Sequence, residues 1–344
     1  MNTSDFDYQL PPELIAQTPL EPRDSSRLMT VSKVDGTLGH QDFIDLPDLL
    51  RSGDVLVFND SKVVPARLYG RHKGSTIELL LLDHLGYGRW RALGRPGRRL
   101  RIGARFEIVD GAGVPKMSGS VLEVEEAGTR VVEISGDDSE VREVGVVPLP
   151  PYIHETLGDS GRYQTVYART DGSVAAPTAG LHFTEELLTK LRAIGVETVF
   201  VTLHVGWGSF RPVQEEDPRE HEMHSEMWEL MPDAAIVINR AKSEGRRVVS
   251  VGTTATRLLE NAASLNKSEE QVVEAGSGLA NLYILPGFRF RVIDGLLTNF
   301  HLPRSTLLML VSAYAGRELV LKAYAEAIKR RYRFYSFGDA MLFL

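Results

Sequence analysis

The sequence predicts an α+β or mixed α/β fold: a main domain with a barrel-like sheet and surrounding helices, carrying an inserted antiparallel β-barrel. Three observations predict it. Strand-like and helix-like runs alternate in both outer parts of the chain. Between them, short β-rich runs about a dozen residues apart are broken by glycine-rich turns, the texture of a small barrel. Charge also separates within that middle block. From Asp60 to Arg105 eleven basic residues stand against three acidic ones, a net +8, whereas Phe106 to Gly145 holds three basic and ten acidic residues, a net −7. The main domain is therefore expected in two segments, 1–60 and 146–344, around an insert at 61–145.

The elements follow in order. RLMTVSK and DVLVFND read as strands around a helical FIDLPDLLRSG. The insert supplies STIELLLLD, RWRALG, ARFEIVDG, SGSVLEVEE and TRVVEISGD as strands. EELLTKLRAIG reads as a helix, with Thr184 as its cap, Glu185 and Glu186 in the electropositive first turn and Gly195 at its end. The strand ETVFVTLHVG comes next, then the helix PDAAIVINRAKSEG, the strand RRVVSVG and the helix TATRLLENAAS. STLLMLVSAYAG and ELVLKAYAEAIKRRY are two further helices before a short apolar tail.

Composition removes several function classes. The 344 residues, 43% hydrophobic and 25% charged, exclude a fibrous or disordered chain and suffice for two cores. With no cysteine, disulfides, thiolate metal sites and cysteine nucleophiles are impossible, and a cytoplasmic location is expected. No run of 18 apolar residues stands out, and MNTSDFDYQL lacks a basic region followed by an apolar one. Neither a membrane partner nor a signal peptide is expected. There is no GxxxxGK, no GxGxxG after a strand and no GxSxG elbow, which argues against P-loop, ordinary dinucleotide-binding and serine hydrolase chemistry. The net charge of −7 argues against a chain that coats nucleic acid with its whole surface.

Several loops are too rich in Gly, Pro, Thr, His and aromatic residues to be helix or strand interior. In APTAGLHFT, Pro177 and Gly180 shape a turn that delivers Thr178 and His182 to a helix start, where polar ligand groups bind. HVGWGSFRPV ends an apolar strand; Gly206 lets a ligand approach the backbone, Trp207 and Phe210 offer stacking faces, and Arg211 offers a cation. In EHEMHSE the histidines are three apart, not HExxH. A metal there is the weaker reading, a polar substrate loop the stronger, and no resident metal is expected. LLTNFHLPRST places Asn299 and His301 after an apolar strand, with Pro303 starting a helix. VGTTATRLLE sets Thr253 and Thr254 at the mouth of another helix. Lys62, Arg67, Arg95, Arg98, Arg99 and Arg101 belong to the basic stretch; RWRALGRPGRRLRIGAR alone holds seven arginines and no acid, either a track for a phosphate backbone or a solvated barrel face.

Together FNDSKVVPARLYG, GRYQTVYA, GSVAAPTAGLHFT, HVGWGSFRPV, HEMHSE, VGTTATRLLE, DGLLTNFHLP and YRFYSFGDAM resemble the S-adenosylmethionine:tRNA ribosyltransferase-isomerase family of queuosine biosynthesis, from LPPELIAQTPLEPRDSSRL to SFGDAMLF. The resemblance implies an α/β domain with a smaller β-barrel, independence of metals, and S-adenosylmethionine as a ribosyl-donor substrate, with no cofactor. It implies transfer and isomerisation of the donor's ribose onto 7-aminomethyl-7-deazaguanine at the wobble position of tRNA, giving epoxyqueuosine-tRNA, adenine and methionine. A monomer is expected. The chemistry then gives roles to residue types. Trp207, Phe210 and Glu226 suit a sulfonium cation, and His182 and His301 suit the acid and base. Thr178, Thr253, Thr254 and Asn299 suit ribose hydroxyls or the base edge, and Arg211 the methionine carboxylate or a phosphate. One departure from the family pattern is Ala280 and Asn281 in SGLANLYI, where Thr and Asp are usual. It is the support for the rival reading, a noncatalytic tRNA-binding relative.

Overall fold

The computed structural model describes residues 1–344 apart from Glu126, Ala127, Trp207, Ser209, Phe210, Arg211 and Glu269. It divides into two compact units, Met1–Lys62 with Pro150–Leu344, and Val63–Leu149. In chain order the strands are β1 (Arg27–Val31), β2 (Leu38–Asp42), β3 (Val55–Asn59), β4 (Ser61–Val63), β5 (Arg67–His72), β6 (Ser75–Gly86), β7 (Arg89–Arg95), β8 (Arg105–Val109), β9 (Pro115–Val124) and β10 (Arg130–Ile134). They continue with β11 (Thr170–Ser173), β12 (Glu197–Leu203), β13 (Glu226–Leu230), β14 (Val248–Val251), β15 (Gly276–Ala280), β16 (Gly295–Asn299) and β17 (Ala340–Phe343). The helices are α1 (Leu46–Leu49), α2 (Asp138–Val144), α3 (Glu185–Ala193), α4 (Pro232–Ser243), α5 (Thr253–Leu265), α6 (Thr306–Ala315) and α7 (Arg317–Lys329).

The larger unit is built on a nine-stranded mixed sheet in the order β15-β13-β12-β3-β14-β16-β17-β1-β2. Its central strands β12, β3, β14 and β16 run parallel. Both faces are covered, which is why β3 is apolar from Val55 to Phe58 before it ends on Asn59. Val55 and Val57 enter one core beside Ile238, Leu258 and Leu308 from α4, α5 and α6. Leu56 and Phe58 enter the other beside Phe183, Leu187 and Leu191. Successive side chains point to opposite faces, so a strand buried on both sides carries no polar alternation.

The smaller unit is a closed barrel, β10-β7-β6-β5-β8-β9. Here one residue in two points inward, as Leu68, Ile77, Leu79, Trp90, Phe106 and Val132 do, and the charged residues between them face out. Closure leaves no unpaired edge. The mixed α and β content with an antiparallel barrel is the class the sequence predicts.

Local differences have local causes. FIDLPDLLRSG makes a 3₁₀ turn, Phe43–Asp45, and only the short α1, because a helix running through from Phe43 would need the N–H that Pro47 lacks, and Gly53 beyond it adopts a φ of +89°. The apolar tail is not a loose end: β17 lies between β1, which it meets in parallel, and β16, which it meets antiparallel. Helix α6 starts after Ser305 rather than at Pro303, since Arg304 takes a φ of +56° and the Ser305 hydroxyl caps the Leu308 amide.

Candidate active site

The site grows from the end of β16. All five residues of that strand are buried, and its last two send polar side chains to different partners. Thr298 Oγ1 meets His301 Nε2 at 2.9 Å. Asn299 Oδ1 accepts from Thr178 Oγ1 at 3.1 Å, while its Nδ2 donates to the Tyr335 carbonyl at 3.2 Å and to His182 Nε2 at 3.1 Å. The Tyr335 carbonyl can only accept, so it fixes which end of the amide carries the hydrogens. His182 therefore holds its proton on Nδ1 and donates it to Ser26 Oγ at 2.7 Å. Phe43 stacks on the imidazole at 4.8 Å between ring centres.

His182 and Thr178 reach this point on a 3₁₀ turn, Thr178–His182, after which Thr184 Oγ1 accepts from the Leu187 amide and opens α3. Gly180 is required by packing within that turn, because a Cβ there would lie 1.9 Å from the Tyr167 hydroxyl. His301 is held by its own backbone. Its amide donates to the Tyr324 hydroxyl at 2.8 Å, and its carbonyl accepts from Tyr8. Burial lowers both histidines from an ordinary 6.5 to about 3, with Arg333 and Arg23 adding to the effect at His182. Both are neutral at pH 7.

Two adjoining cavities, each of about 30 Å³, share Thr178, Asn299 and His301 in their walls. The first is completed by Tyr152, Ser305 and Tyr335, the second by Gly252, Thr253, Thr254 and Arg257. His182 is not in either wall. It lines a third cavity of about 20 Å³ with Arg23, Ser26 and Arg162, and it reaches the first two through Asn299.

Thr253 and Thr254 open α5, which follows β14. Gly252 turns between them with a φ of +90°, which a side chain rarely tolerates. Thr254 Oγ1 accepts from Asn59 Nδ2 at 3.2 Å. One helical turn on, Arg257 is 4% exposed. Its Nη1 donates to Glu226 Oε2, and the other carboxylate oxygen of Glu226 accepts from the Gly206 amide at 2.9 Å. Glu226 is thus buried with its charge compensated by Arg257, rather than presented alone to a cation. Trp207, Phe210 and Arg211 lie outside the described residues.

The EHEMHSE segment is not helical. It leaves a 3₁₀ turn at Glu220 and enters β13 at Glu226, and His221 Nδ1 bonds Glu215 at 3.0 Å. Among the described residues no group of three metal-binding side chains forms. On the barrel, Arg98, Arg99 and Arg101 join Lys73 and Arg105 around a groove of about 760 Å³ with no acidic residue in its wall. Arg95 is exposed on β7. Arg67 instead serves the barrel, donating to the Leu149 carbonyl and lying 3.1 Å from Glu78. Lys62, in the larger unit, pairs with Asp171 at 3.6 Å.

Sequence reasoning passed over Ser26, Tyr335 and Arg257. Only Arg257 carried a local signal: it is the one charged residue in TTATRLL and falls four places after Thr253, hence on the same helix face. The carbonyl of Tyr335 carries no signal at all.

Residues 3–343 match the family described as queuosine biosynthesis protein. The chain is 52% identical over 349 residues to the S-adenosylmethionine:tRNA ribosyltransferase-isomerase of Symbiobacterium thermophilum, with all of both chains covered. It is equally similar, 52% over 350 residues with full coverage of both, to the enzyme of that name from Moorella thermoacetica. Among solved structures it resembles the S-adenosylmethionine tRNA ribosyltransferase of Thermotoga maritima, at 39% identity and a TM-score of 0.57, covering 99% of this chain and 100% of the other.

Proposed function

We propose, from the premise that this chain belongs to the queuosine biosynthesis protein family, that it is a ribosyltransferase-isomerase taking S-adenosylmethionine as donor and tRNA as acceptor. It moves and isomerises the donor's ribose onto 7-aminomethyl-7-deazaguanine at the wobble position, and adenine and methionine leave. One observation carries the reading. The loops bearing Thr178, Thr253, Asn299 and His301, far apart in sequence, meet around two adjoining cavities.

The residues divide the work as follows. Thr178, Thr253, Thr254 and Asn299 supply hydroxyls and an amide to ribose or base. His301, neutral and in both cavity walls, takes the proton from the carbon beside the sulfonium. The same ring then delivers that proton to departing adenine. His182 acts through Asn299, whose amide it holds. Gly180 and Gly206 place backbone and partners rather than contribute a reacting group. The basic groove of Arg98, Arg99 and Arg101, with Arg95 beside it on the barrel, follows RNA phosphates. Trp207, Phe210 and Arg211 keep the roles their chemistry suggests, stacking on the donor and binding an anion. No helix among the described residues is long and apolar enough to cross a membrane.

The test is mass spectrometry of an anticodon stem-loop carrying the aminomethyl-deazaguanine after incubation with the protein and ribose-labelled S-adenosylmethionine. The expected result is a labelled ribosyl-derived adduct on the modified RNA alone, with adenine and methionine released. RNA binding without an adduct would overturn the reading in favour of a noncatalytic relative.

A further inference from the structure

Arg257 is an arginine with work left undone. Its Nε donates to the Leu282 carbonyl at 3.3 Å and its Nη1 to Glu226. Its Nη2 is buried and has no hydrogen-bond partner among the described residues. A buried guanidinium nitrogen without an acceptor is costly, and such groups are kept where an acceptor arrives. Arg257 lines the second cavity, whose floor is the start of α5. No side chain caps that helix: Gly252 stands at its N-cap, and the Thr253 and Thr254 hydroxyls flank it. The helix's partial positive charge and its unpaired first amides thus meet, in the wall of one small space, the side chain of an arginine that has an unpaired nitrogen. At about 30 Å³ the space holds roughly two waters or one carboxylate, given that a water needs about 10–15 Å³.

We infer that Arg257 and the N-terminus of α5 form the receptor for the α-carboxylate of the donor's methionyl group. The inference rests on the proposed use of S-adenosylmethionine, whose sole anionic group is that carboxylate. Glu226 is the positioning residue. By holding Nη1 while the Gly206 amide holds its other oxygen, it fixes the guanidinium in the cavity wall with Nη2 as the unpaired nitrogen. The donor's own ammonium and the helix terminus offset the second negative charge beside the guanidinium. A phosphate of the RNA backbone carries the same type of charge, but a cavity of this volume suits the smaller group.

The test compares kcat and KM for S-adenosylmethionine and for its decarboxylated analogue, at saturating modified stem-loop, in the wild-type protein and in Arg257→Lys. A lysine keeps one cation for Glu226 and cannot serve the carboxylate as well. Loss of a charge-assisted hydrogen bond predicts that the analogue's KM on the wild type is about 10- to 100-fold higher than that of the donor. Arg257→Lys is expected to raise the donor's KM by a similar factor and to leave the analogue's KM unchanged within about twofold. Equal KM for both donors on the wild type overturns the inference, a comparison that needs no folded variant. A variant that weakens both donors alike overturns it too. A wild-type protein that makes no adduct from S-adenosylmethionine overturns the proposed function instead, and the carboxylate receptor with it.

Discussion

The two buried histidines make stability depend on pH in a way that can be worked out. His182 is lowered by burial, and by Arg333 and Arg23, to about 3, against 6.5 for an ordinary imidazole. The folded state refuses a proton that the unfolded chain accepts. The stabilisation is therefore complete above pH 6.5 and is lost as pH falls from 6.5 toward 3. Between pH 7.5 and pH 5 an unfolded histidine becomes almost fully protonated while folded His182 stays neutral, which costs about 2 kcal/mol. His301, lowered to about 3 by burial alone, adds a similar amount. The perturbation is His182→Gln, whose amide can accept from Asn299 Nδ2 and donate to Ser26 Oγ as the imidazole does. The assay is urea unfolding of wild type and variant at both pH values. Carboxylates and other histidines contribute equally to both proteins and cancel. The variant is expected to lose about 2 kcal/mol less than the wild type on going to pH 5. A pH dependence as steep as that of the wild type would refute the neutral, buried assignment of His182.

Three further outcomes follow from the same structure. His301→Gln is expected to lower kcat by about 10²- to 10⁴-fold while the donor's KM moves only a few-fold, and full turnover in single-turnover assays would remove His301 from the chemistry. Arg98→Ala with Arg99→Ala should flatten the plot of log RNA affinity against log salt by about 1.4 if each residue neutralises one phosphate of a single strand, whereas an unchanged slope would move the RNA to another surface. Gly180→Ala puts a Cβ 1.9 Å from the Tyr167 hydroxyl; overpacking of that kind costs about 1–3 kcal/mol, read as a lowered Tm, and an unaltered Tm would show that the turn can give way.

Where the physics is short-range, the sequence was legible. The Thr184 cap, the acidic first turn of α3 and the positive φ of Gly195 and Gly252 are settled within a few residues. Each is readable from the residue types alone. The same holds for α4, α6 and α7, whose apolar spacing marks a buried face, and for the barrel strands, whose alternation marks one face in and one out. Thr178, Asn299 and His301 stood out as polar side chains in loops rich in Gly, Pro and His, and the structure brings all three into the walls of the same two cavities. The short α1 shows the limit of that reading, since one proline outweighed an apolar run.

By itself the sequence determined the class of elements, the separation of charge around the barrel and the identity of the loops that carry polar groups. Only the tertiary structure decided what those groups can do. The tautomer of His182 depends on a backbone carbonyl 153 positions away at Tyr335, and its low proton affinity depends on Phe43 and the sheet that bury it. The tail Ala340–Phe343 became a central strand because β1 and β16 each left an edge open to it. Arg257 became a receptor candidate because β13 holds Glu226 against one of its nitrogens and leaves another unpaired, on a side chain that lines a cavity. Burial, tautomer and unpaired donors are properties of groups brought together across hundreds of residues, and no local pattern encodes distances of that kind.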